Sequence, residues 1–182
     1  MFSHPIDDDI VLRLFEPHHA EALFVLSDRN REHLRPWLPW IENTHEVSDS
    51  RGYILAMRRG YGAGTDLAIG IWFKGELVGA IGLHRIDETN QSAEIGYWLS
   101  ADAQGNGIVT RSCRAVLDYA FGDRALNRVT IRVDPRNAPS RAIPERLRFT
   151  EEGTLRQIQA HDDHFIDLVI YSMLASEWET QS

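Results

Sequence analysis

Residues 93–121 read A-E-I-G-Y-W-L-S-A-D-A-Q-G-N-G-I-V-T-R-S-C-R-A-V-L-D-Y-A-F. An apolar, aromatic segment of strand character, Ala93 to Leu99, runs into a small polar loop, Asp102 to Gly107, and a helical pattern begins at once. Val109, Cys113, Val116, Leu117 and Ala120 recur at spacings of three and four, which puts them on one helical face. Strand, glycine-bearing loop and helix start make an anion-binding device. The first helical turn has unpaired backbone N–H groups and a partial positive charge, and Gly105 and Gly107 let the backbone come close to a ligand. A pair of turn glycines reads the same way in isolation, so the rest of the chain decides what the loop is for.

The segments around it supply the order of elements. Ile10 to Phe15 reads as a short strand, and Glu16-Pro17 opens a helix with Ala20, Leu23, Phe24 and Leu26/Ser27 on its core face. Pro36 and Pro39 rule out a long regular helix over 30–43, yet Leu34, Trp37, Leu38, Trp40 and Ile41 are too apolar for an idle loop. That segment is either a lid on the core or one wall of a binding pocket. Ser48 is placed to cap a helix through about Arg59, with Tyr53, Ile54 and Met57 inward, and the glycines of G-Y-G-A-G end it. Asp66 to Phe73 and Glu76 to Ile86 are apolar, β-branched runs joined by Lys74-Gly75, a hairpin signature, and Ala93 to Leu99 follows as a third strand of the meander. After the 109–120 helix come a strand at Leu126 to Val133, a short helix capped by Asn137, and a last pair of strands, Thr150 to Ile158 and Phe165 to Leu174. No repeat or linker divides the chain, and residues 1–182 read as a single domain.

Composition enters as a filter on function. Nineteen Lys+Arg against 27 Asp+Glu give a formal charge of −8 with no basic stripe, which argues against nucleic acid as the main ligand. An acidic surface suits cationic acceptors such as amines or basic proteins, and equally serves plain solubility. A lone cysteine, Cys113, excludes an internal disulfide framework, and its place on the helix stripe marks it as a core residue. The first ten residues lack the pattern of a signal peptide and no apolar run is long enough to span a bilayer, so a cytoplasmic location is expected.

The element order, with A-E-I-G-Y-W feeding Q-G-N-G-I-V-T, resembles the GNAT superfamily of acyl-CoA-dependent N-acetyltransferases over nearly the whole chain. H-L-R-P-W-L-P-W, A-E-I-G-Y-W-L, G-N-G-I-V-T and N-A-P-S-R-A-I-P-E-R-L-R-F-T-E-E-G are similar to its ribosomal-protein N-terminal serine/alanine acetyltransferase branch. The resemblance implies an α/β fold (α+β, with a mixed sheet): a central, mostly antiparallel sheet flanked by helices and splayed between the fourth and fifth strands. It implies acetyl-CoA as the donor, its pyrophosphate on the 102–110 loop and helix start, through backbone groups of Gln104, Gly105, Asn106, Gly107, Ile108, Val109 and Thr110. The family opens this loop with Gln or Arg where this chain has Asp102, whose side chain is therefore expected to turn away. Pantetheine is expected to lie beside Ile95 to Leu99 like an added strand, with a backbone N–H from Tyr97, Trp98 or Leu99 meeting the thioester carbonyl.

Direct attack of a neutral amine on a thioester needs a base for the ammonium proton, a donor to the developing oxyanion and an acid for the leaving thiolate. Ser140 matches the serine of the family's N-x-x-S motif, for which the thiolate-acid role is implied; its other reading is a plain helix-cap serine. Asn137 caps that helix, alone or with a cofactor contact. Glu94 is the candidate base, or else a strand carboxylate paired with an arginine, and His84 on the preceding strand is a lesser option for the base. Pro144, inside the short helix, deprives the Ser140 carbonyl of its usual donor and is expected to free backbone beside the thiol site. Arg148 stands where the family has glycine, with a strain of roughly 1–2 kcal/mol if that position is left-handed. Trp37, Trp40, His84, His161 and Asp162 are the candidate acceptor contacts; H-D-D-H at 161–164 lacks a second ligand cluster, so no metal is expected.

The expected function is acetyl transfer to the α-amino group of a protein, a ribosomal one by the resemblance. A small amine (a polyamine, amino acid or antibiotic) as acceptor is the competing enzyme reading, and a non-catalytic acyl-CoA-binding module is the competing class. A dinucleotide-binding fold fails because three antiparallel strands precede the G-x-G loop where βαβ order is required. A homodimer is compatible with the sequence.

Overall fold

Period-two burial along strands and helical periodicity between them build an open sheet with helices on both faces, seen in a computed structural model that describes residues 3–161 and 163–180. The strands are β1 (Ser3–Pro5), β2 (Ile10–Leu14), β3 (Leu67–Phe73), β4 (Glu76–Asp87), β5 (Ser92–Leu99), β6 (Arg128–Val133), β7 (Thr150–His161) and β8 (His164–Leu174). They lie side by side in chain order, except that β8 inserts between β6 and β7. Every neighbouring pair is antiparallel but one. β5 and β6 run parallel and are paired only over Ser92–Glu94 against Arg128–Thr130.

The helices are α1 (Ala20–Arg29), α2 (Arg31–Leu34), α3 (Val47–Ala63), α4 (Ile108–Asp118), α5 (Ala138–Arg146) and α6 (Ala175–Glu179). The stripe of α4 is buried as its spacing predicts, with Cys113 and Leu117 fully enclosed against Ile81, Ile95, Val129 and Ile131. Burial pushes the Cys113 thiol far up, which leaves it an inert core residue. On the opposite face Leu23 of α1 and Ile54 of α3 pack on Ala68, Trp72 and Ala80. Lys74 and Gly75 both have positive φ, 52° and 87°, the geometry of the tight hairpin turn that their sequence signals.

Several expectations need correction. Ser3–Pro5 adds an edge strand beside β2, so the splay, in its expected place between the strand ending at Leu99 and the one ending at Val133, lies between the fifth and sixth strands by number. The C-terminal α6 is a second addition. Ser48 is not the cap of α3: Glu46 is, and the Asp49 carboxylate accepts the N–H groups of His45 (2.9 Å) and Glu46 (3.0 Å). The helix also continues through Gly60 and Gly62 to the left-handed Gly64. Gly60 stays helical because it faces Asp66, where an added Cβ would come within 2.9 Å of the side chain. Tyr53, expected inward, is exposed.

Candidate active site

Once β5 leaves β6 after Glu94, its edge from Ile95 to Leu99 that faces away from β4 has no strand partner among the described residues. The chain then makes one 3₁₀ turn, Ala101–Ala103, and reaches α4 through residues 104–107. Gly105 and Gly107 have φ of +80° and +66°, a region where a side chain is strained by roughly 1–2 kcal/mol. No atom stands within 4 Å of a Cβ built on Gly105, so conformation rather than crowding calls for glycine. No side chain caps α4, which leaves the N–H groups of its first turn free to meet an anion.

The loop is braced from three sides. Arg111 donates to the Asn106 carbonyl at 2.8 Å and pairs with Asp7 through its other nitrogen. The Asn106 side chain donates back to the carbonyls of Ala103 (3.1 Å) and Gln104 (3.2 Å). Buried Asn30, at the α1–α2 junction, accepts the Ala101 N–H at 3.0 Å. Asp102 is exposed and makes no hydrogen bond or ion pair among the described residues. Gln104 departs from expectation. Its N–H is already engaged by the Ala101 carbonyl at 3.2 Å, and its amide meets His33 Nε2 at 3.2 Å. The donors that remain begin at Gly105 and run through Asn106, Gly107, Ile108, Val109 and Thr110.

Across the splay, α5 presents Ser140. The Asn137 side chain accepts the Ser140 N–H at 3.1 Å, so Asn137 is a helix cap. Pro144, one turn further on, offers no N–H to the Ser140 carbonyl. The Tyr97 hydroxyl takes its place: reaching over from the open stretch of β5, it donates to that carbonyl at 2.9 Å. Ser140 Oγ in turn donates to the Tyr97 oxygen at 3.4 Å. Burial pushes the Tyr97 phenol far above its ordinary value, which keeps it a neutral donor. Sequence reasoning named Tyr97 for its backbone alone. The signal for its side chain was present in two facts taken together: a proline that orphans the Ser140 carbonyl, and strand alternation that turns Tyr97 to the face opposite Glu94.

On the face away from Tyr97, register aligns His84 with Glu94, Gly82 with Gly96 and Ala80 with Trp98. Glu94 Oε2 lies 2.8 Å from Arg132 Nε and 3.3 Å from Arg85 Nη1. The Arg132 contact is an ion pair set off the hydrogen-bonding line. His84 Nδ1 lies 3.2 Å from Asp66 Oδ1, while its Nε2 edge rests over the two glycines, 3.2 Å from a Cβ built on Gly82 and 3.5 Å from one on Gly96. Trp98 meets Trp40 at 5.9 Å between ring centroids.

Trp40 and Trp37 belong to a segment pinned by buried Leu34 and Ile41, so it both lids the core and walls a pocket. That pocket, of about 350 Å³, is lined by Arg35, Pro36, Trp37, Arg136, His161 and His164. Two arginines and two histidines therefore line it, the arginines paired with Glu42 and Asp134. Asp162 lies outside the described residues, and Asp163 is exposed and 3.2 Å from His164. Among the described residues, no group of three or more His, Cys, Asp or Glu is arranged to hold a metal ion, and no helix is long and apolar enough to cross a membrane.

An uncapped helix start behind left-handed glycines, an open strand edge leading from it, and a serine–tyrosine pair across the gap define an acyl-CoA-dependent acyltransferase cleft, and these residues fit the cofactor. The chain belongs to the GNAT acetyltransferase family, whose domain matches residues 9–150, and it is an N-acetyltransferase with acetyl-CoA as donor. It is 40% identical over 180 residues to the putative ribosomal N-acetyltransferase YdaF of Bacillus subtilis (strain 168), covering 98% of each chain. It is 28% identical over 173 residues to the ribosomal-protein-serine acetyltransferase of Escherichia coli (strain K12), covering 93% of this chain and 94% of that one. The crystal structure of the microcin C7 self-immunity acetyltransferase MccE in complex with acetyl-CoA and AMP superposes with a TM-score of 0.88 at 30% identity, covering 93% of this chain and 94% of that one.

Proposed function

We propose that the acceptor is the N-terminal α-amino group of a protein, ribosomal by analogy with the relatives named above. One observation carries this reading over a small-amine acceptor. The β7–β8 arm that ends at His161 and His164 holds Leu155, Ile158 and Phe165 in the open, at 44%, 51% and 64% exposure. A protein partner covers such a surface and a polyamine does not. An acceptor of ribosomal origin would place the enzyme in the cytoplasm.

Acetyl-CoA supplies the thioester carbonyl that the amine attacks. The N–H groups from Gly105 to Thr110 hold the pyrophosphate, and the open edge of β5 pairs with the pantetheine amides. A backbone N–H of the Tyr97, Trp98, Leu99 segment donates to the carbonyl oxygen as its charge grows. Ser140, whose backbone N–H is held by Asn137 and whose Oγ–H is donated to Tyr97, would turn that hydroxyl to protonate the leaving thiolate and recover its proton from solvent.

We assign the base to His84 in preference to Glu94. The Asp66 carboxylate accepts from His84 Nδ1, which fixes the tautomer and leaves the Nε2 lone pair over Gly96. Glu94, whose Oε2 is shared by two guanidinium groups, ties β5 to β4 and β6 and lines the same face. His84→Asn is expected to lower kcat about 100-fold, while Glu94→Gln lowers it far less. A near wild-type kcat in His84→Asn returns the role to Glu94 or water.

The function is tested by following CoA release over N-terminal peptides, spermidine and free amino acids, with product mass locating the acetyl group. Turnover of peptides well above small amines is expected. A strong preference for free small amines refutes the protein-acceptor reading, and CoA binding without turnover on any amine refutes catalysis.

A further inference from the structure

We propose that the acceptor is recognised by a negative charge beside its amine: it is a peptide whose α-amino group is followed closely by an acidic side chain, seated in the pocket between the aromatic segment and the β7–β8 hairpin end. This rests on the protein N-terminus reading above and narrows it.

The pocket stands out against the rest of the molecule. The chain carries a formal charge of −8, yet two arginines and two histidines converge here around Trp37. Each arginine is held but not used up. Arg136 places Nε and Nη2 on the buried Asp134 carboxylate, at 3.0 and 2.7 Å. Arg35 places Nε on Glu42 at 3.1 Å. Each guanidinium has five N–H donors, so these contacts leave N–H groups of both without a protein acceptor among the described residues, with Arg136 held through two nitrogens and Arg35 a half-exposed ion-pair partner. A guanidinium with donors to spare suits a carboxylate.

His161 is the second, independent observation. It is 4% exposed and lines this pocket, and its enclosed Nδ1 has no hydrogen-bond partner among the described residues. A buried ring nitrogen left unpaired is costly, and the fold itself supplies nothing here to satisfy it. Position completes the case. Arg136 lies just before α5, four residues from Ser140, and Trp37 belongs to the segment whose Trp40 meets Trp98 on the face of Gly96 and His84.

The test compares C-terminally amidated hexapeptides that share an N-terminal serine and differ at the second and third positions: Glu-Glu, Ala-Ala or Lys-Lys. The expected kcat/KM is roughly tenfold or more higher for the acidic peptide than for the neutral one, with the basic one lowest, and the ratio shrinks as salt is raised. Arg35→Gln brings the acidic-to-neutral ratio close to one, and Arg35→Glu inverts the order towards the basic peptide. Arg35 is the position of choice because Arg136→Gln would also strand buried Asp134. Equal use of the three peptides by the wild-type enzyme, or an unchanged ratio in Arg35→Glu, overturns the proposal and leaves the protein-acceptor reading standing. Turnover of free glutamate or aspartate above every peptide removes both.

Discussion

The link between Pro144 and Tyr97 makes a quantitative test of how this cleft is built. In a regular α5, residue 144 would donate to the Ser140 carbonyl; proline cannot, and Tyr97 supplies the hydroxyl at 2.9 Å. Tyr97→Phe removes that donor and leaves a part-buried carbonyl unpaired, which costs about 1–2 kcal/mol. Pro144→Ala alone has an uncertain sign, since it restores an N–H but gives up a buried ring. The informative quantity is the coupling. With an N–H restored at position 144, the Ser140 carbonyl no longer depends on Tyr97, so Tyr97→Phe should cost about 1 kcal/mol less in the Pro144→Ala background. Urea unfolding of the four proteins gives this coupling directly. Activity reports the same link. Tyr97→Phe is expected to lower kcat about tenfold by releasing the Ser140 hydroxyl from its orientation, and to lower it little further in a Ser140→Ala enzyme. Additivity of the two substitutions in stability within about 0.3–0.5 kcal/mol would mean that Tyr97 does not stand in for the missing helix donor.

Three further expectations follow from single positions. Arg148 has φ of 59° at the end of α5, in a cap where Phe149 donates to the Pro144 carbonyl (2.9 Å) and Arg148 to that of Glu145 (3.1 Å), so Arg148→Gly should stabilise the fold by about 1 kcal/mol, read as a higher urea midpoint at unchanged slope. Gly105→Ala should weaken CoA binding by roughly 5–30-fold, the equivalent of about 1–2 kcal/mol of left-handed strain, with affinity measured by calorimetry; an unchanged affinity would mean that the loop binds in another conformation. Hydrogen bonds from Arg128 and Ser172 bring the Glu152 carboxyl down from 4.5 to about 2. The ionised form is favoured in the fold, so its contribution is complete above pH 4.5 and drains away as pH falls towards about 2. Glu152→Gln should therefore destabilise at pH 6 and much less at pH 2.5 in urea titrations, with a small amplitude because both partners are part-exposed.

What the sequence made legible, and what it hid, follows from the range of the interactions involved. The α4 stripe and the Lys74-Gly75 turn are set by residues within a few positions of one another, and local pattern reads them; the left-handed Arg148 is flagged only by the glycine that the family has at that position. The extra edge strand Ser3–Pro5 carries only three residues and no alternation to read; its pairing with β2 is a tertiary outcome. The continuation of α3 past Gly60 has a partner six positions away, Asp66, whose own role is to hold His84 still further along the chain. At the site the same division holds. Asn137 as a cap was readable because it acts three residues away. The Tyr97–Ser140 pair spans 43 positions and exists because β5 and β6 part company, which a one-dimensional pattern does not encode.

The basic pocket shows the limit most clearly. Arg35, Arg136 and His161 sit in three separate segments; H-D-D-H at 161–164 stands out by itself, but nothing in the sequence joins it to the two arginines in a chain of net charge −8. Whole-chain charge pointed to a cationic acceptor, and local charge points the other way. The two are compatible, because screening confines the field of dispersed surface carboxylates to roughly 10 Å at ordinary salt, whereas groups lining a shared pocket act at contact distance. The N-terminal peptide proposed as acceptor carries both signs: an amine that the acidic surface tolerates on approach, and an acidic side chain for the pocket arginines. On that proposal Arg35, Arg136 and His161 set where it docks, and Ser140, Tyr97 and His84 serve the acetyl transfer.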